Sequence, residues 1–160
     1  MGRRIYKAGV DTVTVAATQD IWSLLASASN GIQLHWMQLT AGSVTTAAQL
    51  RLRLKRSNST TVTQGTGGTT PAKNAVDDGD SKASVSTVHA NDTSTQLVAG
   101  SLTGYLEYFQ WNVLLPFDFM PGPEDEDRPA CLTGEAFVLD FPGAVVSTVI
   151  SQNAAWREYP

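Results

Sequence analysis

Gln49-Leu-Arg-Leu-Arg-Leu-Lys-Arg56 decides the fold class of this chain. Leu50, Leu52 and Leu54 alternate with Arg51, Arg53 and Lys55. A period of two puts successive side chains on opposite faces, so the segment reads as a strand with one dry and one wet face. The same alternation recurs on both sides of it. Val13 and Val15 alternate with Thr12 and Thr14, within a strand expected over 10–17. Ile32, Leu34 and Trp36 alternate with Gln33 and His35, just after the turn signal Asn30-Gly31. Further on, over 134–141, Phe137, Leu139 and Phe141 alternate with Glu135 and Asp140, Pro142-Gly143 marks a turn, and 144–150 alternates again.

Other stretches are less clear. Residues 20–25 read either as a short strand or as the first turn of a helix capped by Asp20. Residues 82–89 read as a strand with Val85 and Val88 on opposite faces, and 95–102 is ambiguous. Tyr105, Phe109 and Trp111, with Leu106 and Tyr108 between them, form an aromatic centre. No long amphipathic helix and no internal repeat emerges. Seven or eight short strands separated by polar turns predict an all-β chain, a single β-sandwich of jelly-roll type. The Cys-Trp-Cys spacing of an immunoglobulin domain is absent. The expected layout is an extended N-terminal arm over 1–9, a sandwich over 10–160, and one long Ser/Thr/Gly-rich loop at 57–81. Loops of that length are usually functional or disordered.

Composition bounds the function. The chain has 160 residues, enough for one domain with a real core. Charged residues make up 16%, below the usual quarter, and Ser and Thr take their place, which suits strands. A net charge of −4 argues against general nucleic-acid binding. The single cysteine, Cys131, excludes an internal disulfide and a Cys-rich zinc site. No run of 18 apolar residues is present, and no apolar stretch follows the basic start as in a signal peptide. Tyr6 stands where a myristoylation pattern requires Ser or Thr. The expectation is a soluble protein made in the cytoplasm.

Several residue groups carry potential chemistry. Glu124, Asp125, Glu126 and Asp127 are consecutive carboxylates between prolines. They offer oxygens to a hard cation but lack the spacing of a calcium loop, so a solvated, stiffened turn is the plainer reading. Arg51, Arg53, Lys55 and Arg56 place positive charge on a strand face that could meet an acidic partner surface, the 124–127 run of a second copy included. Gly65, Gly67 and Gly68 lack the Lys-Ser/Thr ending of a phosphate loop. His35 and His89 stand alone, and Cys131 has no base nearby. Trp22, Trp36, Trp111 and Trp156 could stack on sugar, but scattered tryptophans in a β-rich chain more often build core or interface. With no nucleophile motif, metal cluster or cofactor fingerprint, a non-enzymatic protein without cofactor is expected.

The chain resembles small structural proteins encoded beside capsid and portal genes in tailed bacteriophages. The residues that carry the resemblance are the Leu52 to Arg56 strand, Gly65, Gly67, Gly68 and Pro71 in the loop, the segment from Tyr105 to Trp111, Pro121-Gly-Pro-Glu124, and Trp156-Arg-Glu158. The acidic run Asp125 to Asp127 and the final Tyr159-Pro160 depart from that pattern. The resemblance implies a virion component with no catalytic residues. It implies a jelly-roll decoration or cement protein, commonly a homotrimer, bound to the major capsid protein or other virion proteins. Nucleic acid and membrane are not expected partners. Arg3, Arg4 and Lys7 in the arm, Arg51 and Arg53 on the strand, the loop glycines and the acidic run are the expected contact residues. A head–tail connector or tail component, and a carbohydrate-binding jelly roll on a tail or fibre, are the alternatives.

Overall fold

The computed structural model describes residues 4–15, 18–42, 47–57, 62–77, 83–99, 102–142 and 147–160. Among these the chain forms thirteen strands and one short 3-10 turn. The strands are β1 (Arg4–Val15), β2 (Gln19–Leu25), β3 (Gly31–Ala41), β4 (Gln49–Ser57), β5 (Val62–Thr63), β6 (Asn74–Ala75), β7 (Thr87–Asp92), β8 (Val98–Ala99), β9 (Leu102–Asn112), β10 (Phe117–Phe119), β11 (Ala130–Cys131), β12 (Ala136–Phe141) and β13 (Thr148–Tyr159).

Two antiparallel sheets stack face to face. The first has the order β10-β3-β13-β1-β6, with β11 also pairing β3, and the second has the order β7-β2-β12-β4-β9. Eight of these strands, β1, β2, β3, β4, β9, β10, β12 and β13, make the frame. Numbered one to eight along the chain, they lie in the orders 1-8-3-6 and 2-7-4-5. That is the double Greek key of a jelly roll. All-β architecture, expected from the alternating segments, is what the chain adopts.

The core fills the space between the sheets. Leu50, Leu52 and Leu54 enter it from β4, Phe137, Leu139 and Phe141 from β12, Ile32, Leu34, Met37 and Leu39 from β3, and Ile150, Ala154 and Trp156 from β13. The Leu50 strand therefore does what its period dictates.

Strands β5 to β8 belong to an insertion between β4 and β9, which are themselves neighbours in the second sheet. Ser57 and Leu102 are register partners, so the insertion leaves and returns at one point. On its way it adds β7 beyond β2 and sends β6 to the free side of β1. It also pairs β5 with β8. This third layer lies on the outer face of the second sheet, where Leu97, Leu25 and Val62 pack on Ala136 and Val138. Strand β12 is consequently buried on both faces, and β2 nearly so.

Several expectations change. Residues 4–9 form no arm. Tyr6 and Ala8 point into the core and β1 pairs with β13 from Arg4↔Glu158 onward. Weakly apolar Ala8 and Gly9 hid this alternation. Arg3 lies outside the described residues. Residues 20–25 are strand, not helix. The strand expected over 82–89 begins at Thr87, leaving Val85 exposed, and Lys82 lies outside the described residues. Of the alternation over 144–150, residues 144–146 also lie outside them, while β13 runs on to Tyr159.

Candidate protein-interaction surface

The 57–81 segment is not a free loop in its described part. Thr66 bridges Thr95, and Thr69 exchanges two backbone hydrogen bonds with Ala90 at 2.8 and 2.9 Å. A Cβ on Gly65 would strike Asp92 and the Thr95 carbonyl, and one on Gly68 would strike the Ala90 carbonyl. Gly67 adopts φ +84° beside Ser94, a conformation side chains rarely tolerate. The three glycines are needed for close packing against the chain's own β7 turn. That packing accounts for the three glycines within the chain itself, with Gly65 buried and Gly67 exposed.

The basic face of β4 is also largely consumed. Arg53 donates from Nε and Nη2 to Asp140 at 3.0 and 2.6 Å, and Lys55 Nζ lies 2.5 Å from the same carboxylate. Asp140 is fully buried. Arg53 thus does not face outward as a free charge, because the insertion covers this face and the strand must neutralise Asp140. Arg51 stays exposed beside Gln110 of β9. Lys7 is exposed on β1, next to Asn74 of β6.

The acidic run folds back on the first sheet. Asp125, Glu126 and Asp127 form the 3-10 turn. Asp125 accepts from Arg157 at 3.1 Å and from Arg128 at 3.3 Å, and its backbone carbonyl accepts from Gln33 at 2.6 Å. Glu124, Glu126 and Asp127 remain exposed. A bridge between the basic strip and this run on another copy loses three of its charges, Arg53, Lys55 and Asp125, to partners within the chain.

Histidine, cysteine and tryptophan are absorbed by packing. His35 is half-buried and held below its usual pKa by burial and by Arg128 and Arg157. His89 Nδ1 sits against Asp92. Burial pushes the Cys131 thiol well above the ordinary range, which makes it unreactive. Trp22, Trp111 and Trp156 are buried and Trp36 half-buried, so the first three have no face to offer a sugar. Among the described residues no group of three His, Cys, Asp or Glu is arranged to hold a metal. Nor, among the described residues, is any helix long and apolar enough to cross a membrane.

What the fold leaves open is one lateral seam. Strand β9 ends the second sheet and β10 ends the first. Phe109 closes the gap between them, with ring centroids 5.0 Å from Phe117 and 5.4 Å from Phe119. Near the triad in sequence, Leu114 and Leu115 (61% exposed) precede β10 and Met120 (76%) follows it, while Tyr108 (60%) stands opposite Arg53 on the other face of β9 from Phe109. The turn after β9 is tied back by Trp111 Nε1, which donates to the Leu115 carbonyl at 2.7 Å. Sheet edges and exposed apolar side chains are features on which partner proteins dock. Sequence reading singled out the aromatic segment but not its exposed flank, because Leu114-Leu115 reads equally as core.

Two further clusters, one half-buried and one buried, also escaped sequence reading. Glu158 accepts hydrogen bonds from the hydroxyls of Ser84 and Ser86 and from the backbone N–H groups of Ser86 (3.0 Å) and Val85 (3.2 Å). Burial would raise its pKa, but these four donors outweigh burial and hold it below the usual carboxylate range. Asp20 is buried beneath the insertion, and burial is the main reason its pKa rises to about 6.

Against protein-family models, curated protein sequences and solved structures, the chain finds no match.

Proposed function

We propose that this chain is a structural component of a tailed-phage particle, a decoration or cement protein that binds the capsid shell through the β9–β10 seam. The observation that carries the reading is the set of exposed apolar side chains Leu114, Leu115 and Met120, which flank β10 in sequence, the strand that gives Phe117 and Phe119 to the aromatic triad. Two segments that carry the phage resemblance, Tyr105 to Trp111 and Pro121 to Glu124, bracket Leu114, Leu115 and Met120 in sequence. That coincidence favours a shell protein as the occupant. The jelly-roll frame supports the same reading, because a closed double sheet presents its turns on a stiff scaffold.

The action is mechanical. The protein straddles joints between shell subunits and adds buried area at each one. In a homo-oligomer, the trimer of the resemblance, several weak contacts act together and raise the effective affinity with no single strong site. No chemical step and no cofactor is assigned.

The test uses purified particles with and without the protein. Bound copies are counted by mass spectrometry and shell integrity is followed on heating. The reading expects copies in register with shell subunits and a higher temperature of shell rupture. Unchanged rupture overturns it, and so does a copy number fitting one small ring, which would mark a head–tail connector instead.

A further inference from the structure

We infer that the insertion's covering layer, residues 62–69 and 93–99, is a proton-held strap that closes over the second sheet and loosens as Asp20 loses its proton.

The charges under the strap do not balance by contact. Three carboxylates lie there, each buried: Asp20, Asp92 and Asp140. Both neighbouring fixed cations, Arg53 and Lys55 of β4, are committed to Asp140 of β12. On β7, His89 is committed to Asp92. Asp20 of β2 keeps a single contact from the strap itself, the Leu97 N–H donating to Oδ2 at 2.6 Å, while its Oδ1 has no hydrogen-bond partner. Lys55 favours the charged form of Asp20, whereas Asp140 and Asp92 oppose it.

The strap's other anchors converge on the same region. Gln64 Nε2 donates to Ser23 Oγ, and Gly65 seats against the Asp92 carboxylate. Leu97 and Val62 cover Ala136 and Val138. An ionised Asp20 is thus a buried charge facing two other carboxylates, and lifting the strap is the motion that hydrates it. When protonated, it loses that incentive.

The sign follows from linkage. A carboxyl whose pKa is higher in the closed state favours closure most at low pH, and the advantage fades as pH rises through the higher value. Taking 3.8 for the hydrated group and about 6 for the closed one, the strap's opening constant rises about tenfold between pH 5 and pH 8. Opening uncovers the Ala136 and Val138 stripe without disturbing the core between the sheets.

Hydrogen exchange followed by mass spectrometry tests this, with each peptide expressed as protection relative to its intrinsic rate. Peptides covering 62–69 and 93–99 should lose about tenfold in protection from pH 5 to pH 8 while β3 and β13 peptides keep theirs. Asp20→Asn should abolish the slope. A strap without slope, a slope shared by β3 and β13, or a slope that persists in Asp20→Asn through His89 and Asp92 overturns the inference. Should Asp20→Asn fail to fold, carbon-13 NMR of the wild-type Asp20 carboxyl decides: titration near 6 upholds the inference, and titration below 4.5 overturns it.

Discussion

Replacing Asp140 by Ala should be among the most damaging single changes in the molecule. Its carboxylate is fully buried and holds two cations, Arg53 through two hydrogen bonds of 3.0 and 2.6 Å and Lys55 at 2.5 Å. Lys55 is itself buried, so it has no route to water without moving β4. Removing one partner of a buried ion pair costs about 3–5 kcal/mol, because the other is left charged and dry. In a chain of this size, each kcal/mol shifts Tm by roughly 2–4 °C, so the midpoint should fall by about 6–20 °C. Urea unfolding at pH 7 reads the free energy and calorimetry reads the midpoint. Asp118→Ala is the matched control, since Asp118 makes one exposed hydrogen bond to Gln38. The triple change Arg53→Met, Lys55→Met and Asp140→Leu should recover much of the loss, because removing both cations with the carboxylate leaves no stranded charge. A loss below about 1 kcal/mol for Asp140→Ala would refute the reasoning, since it would place the carboxylate in water.

Three further outcomes follow from the same geometry. Glu158→Gln should destabilise by about 1–3 kcal/mol at pH 7, since it replaces a charged acceptor of four hydrogen bonds. The lowered pKa of Glu158 means that its contribution is present above the ordinary Glu value and disappears as pH falls through the lowered one. Unfolding curves of the two proteins should therefore converge in acid. Gly68→Ala should cost about 1–3 kcal/mol by thermal melt, because the added methyl meets the backbone carbonyl of Ala90. Leu115→Glu should leave stability within about 0.5 kcal/mol, as the side chain is exposed, yet reduce binding to purified shells in a sedimentation assay.

How much of this was legible from the chain alone depends on which face of a strand is considered. The inward faces were readable because Leu50, Leu52, Leu54, Phe137, Leu139 and Phe141 declare themselves by period. The outward faces were not. Arg53, Lys55 and Asp140 have the alternation of a solvated surface, yet Lys55 and Asp140 are buried and Arg53 partly so, on the face where a segment distant in sequence packs over Ala136 and Val138. No local pattern encodes that cover. The same holds for Glu158, whose partners are some 70 positions away. The N-terminal strand escaped for another reason: Ala8 and Gly9 are too small to register as apolar, although β13 needs small residues opposite Ala154 and Asn153. The seam was half readable. Aromatic residues marked its interior, whereas its exposed leucines and Met120 gained meaning once β9 and β10 proved to be the ends of their sheets.

The register partnership of Ser57 with Leu102 makes β4 and β9 the arms of a hairpin whose turn is the whole insertion. Closing a loop of that length costs about 2 kcal/mol more than closing a four-residue turn, by the logarithmic dependence on length. That charge falls on the search for the fold, before any of the covering contacts can repay it. Long-range strand pairing of this kind slows folding. Both ends of the insertion are fixed at the β4–β9 pair, and β4 lies beside β12, so the cover over Ala136 and Val138 is tethered one strand away from what it hides.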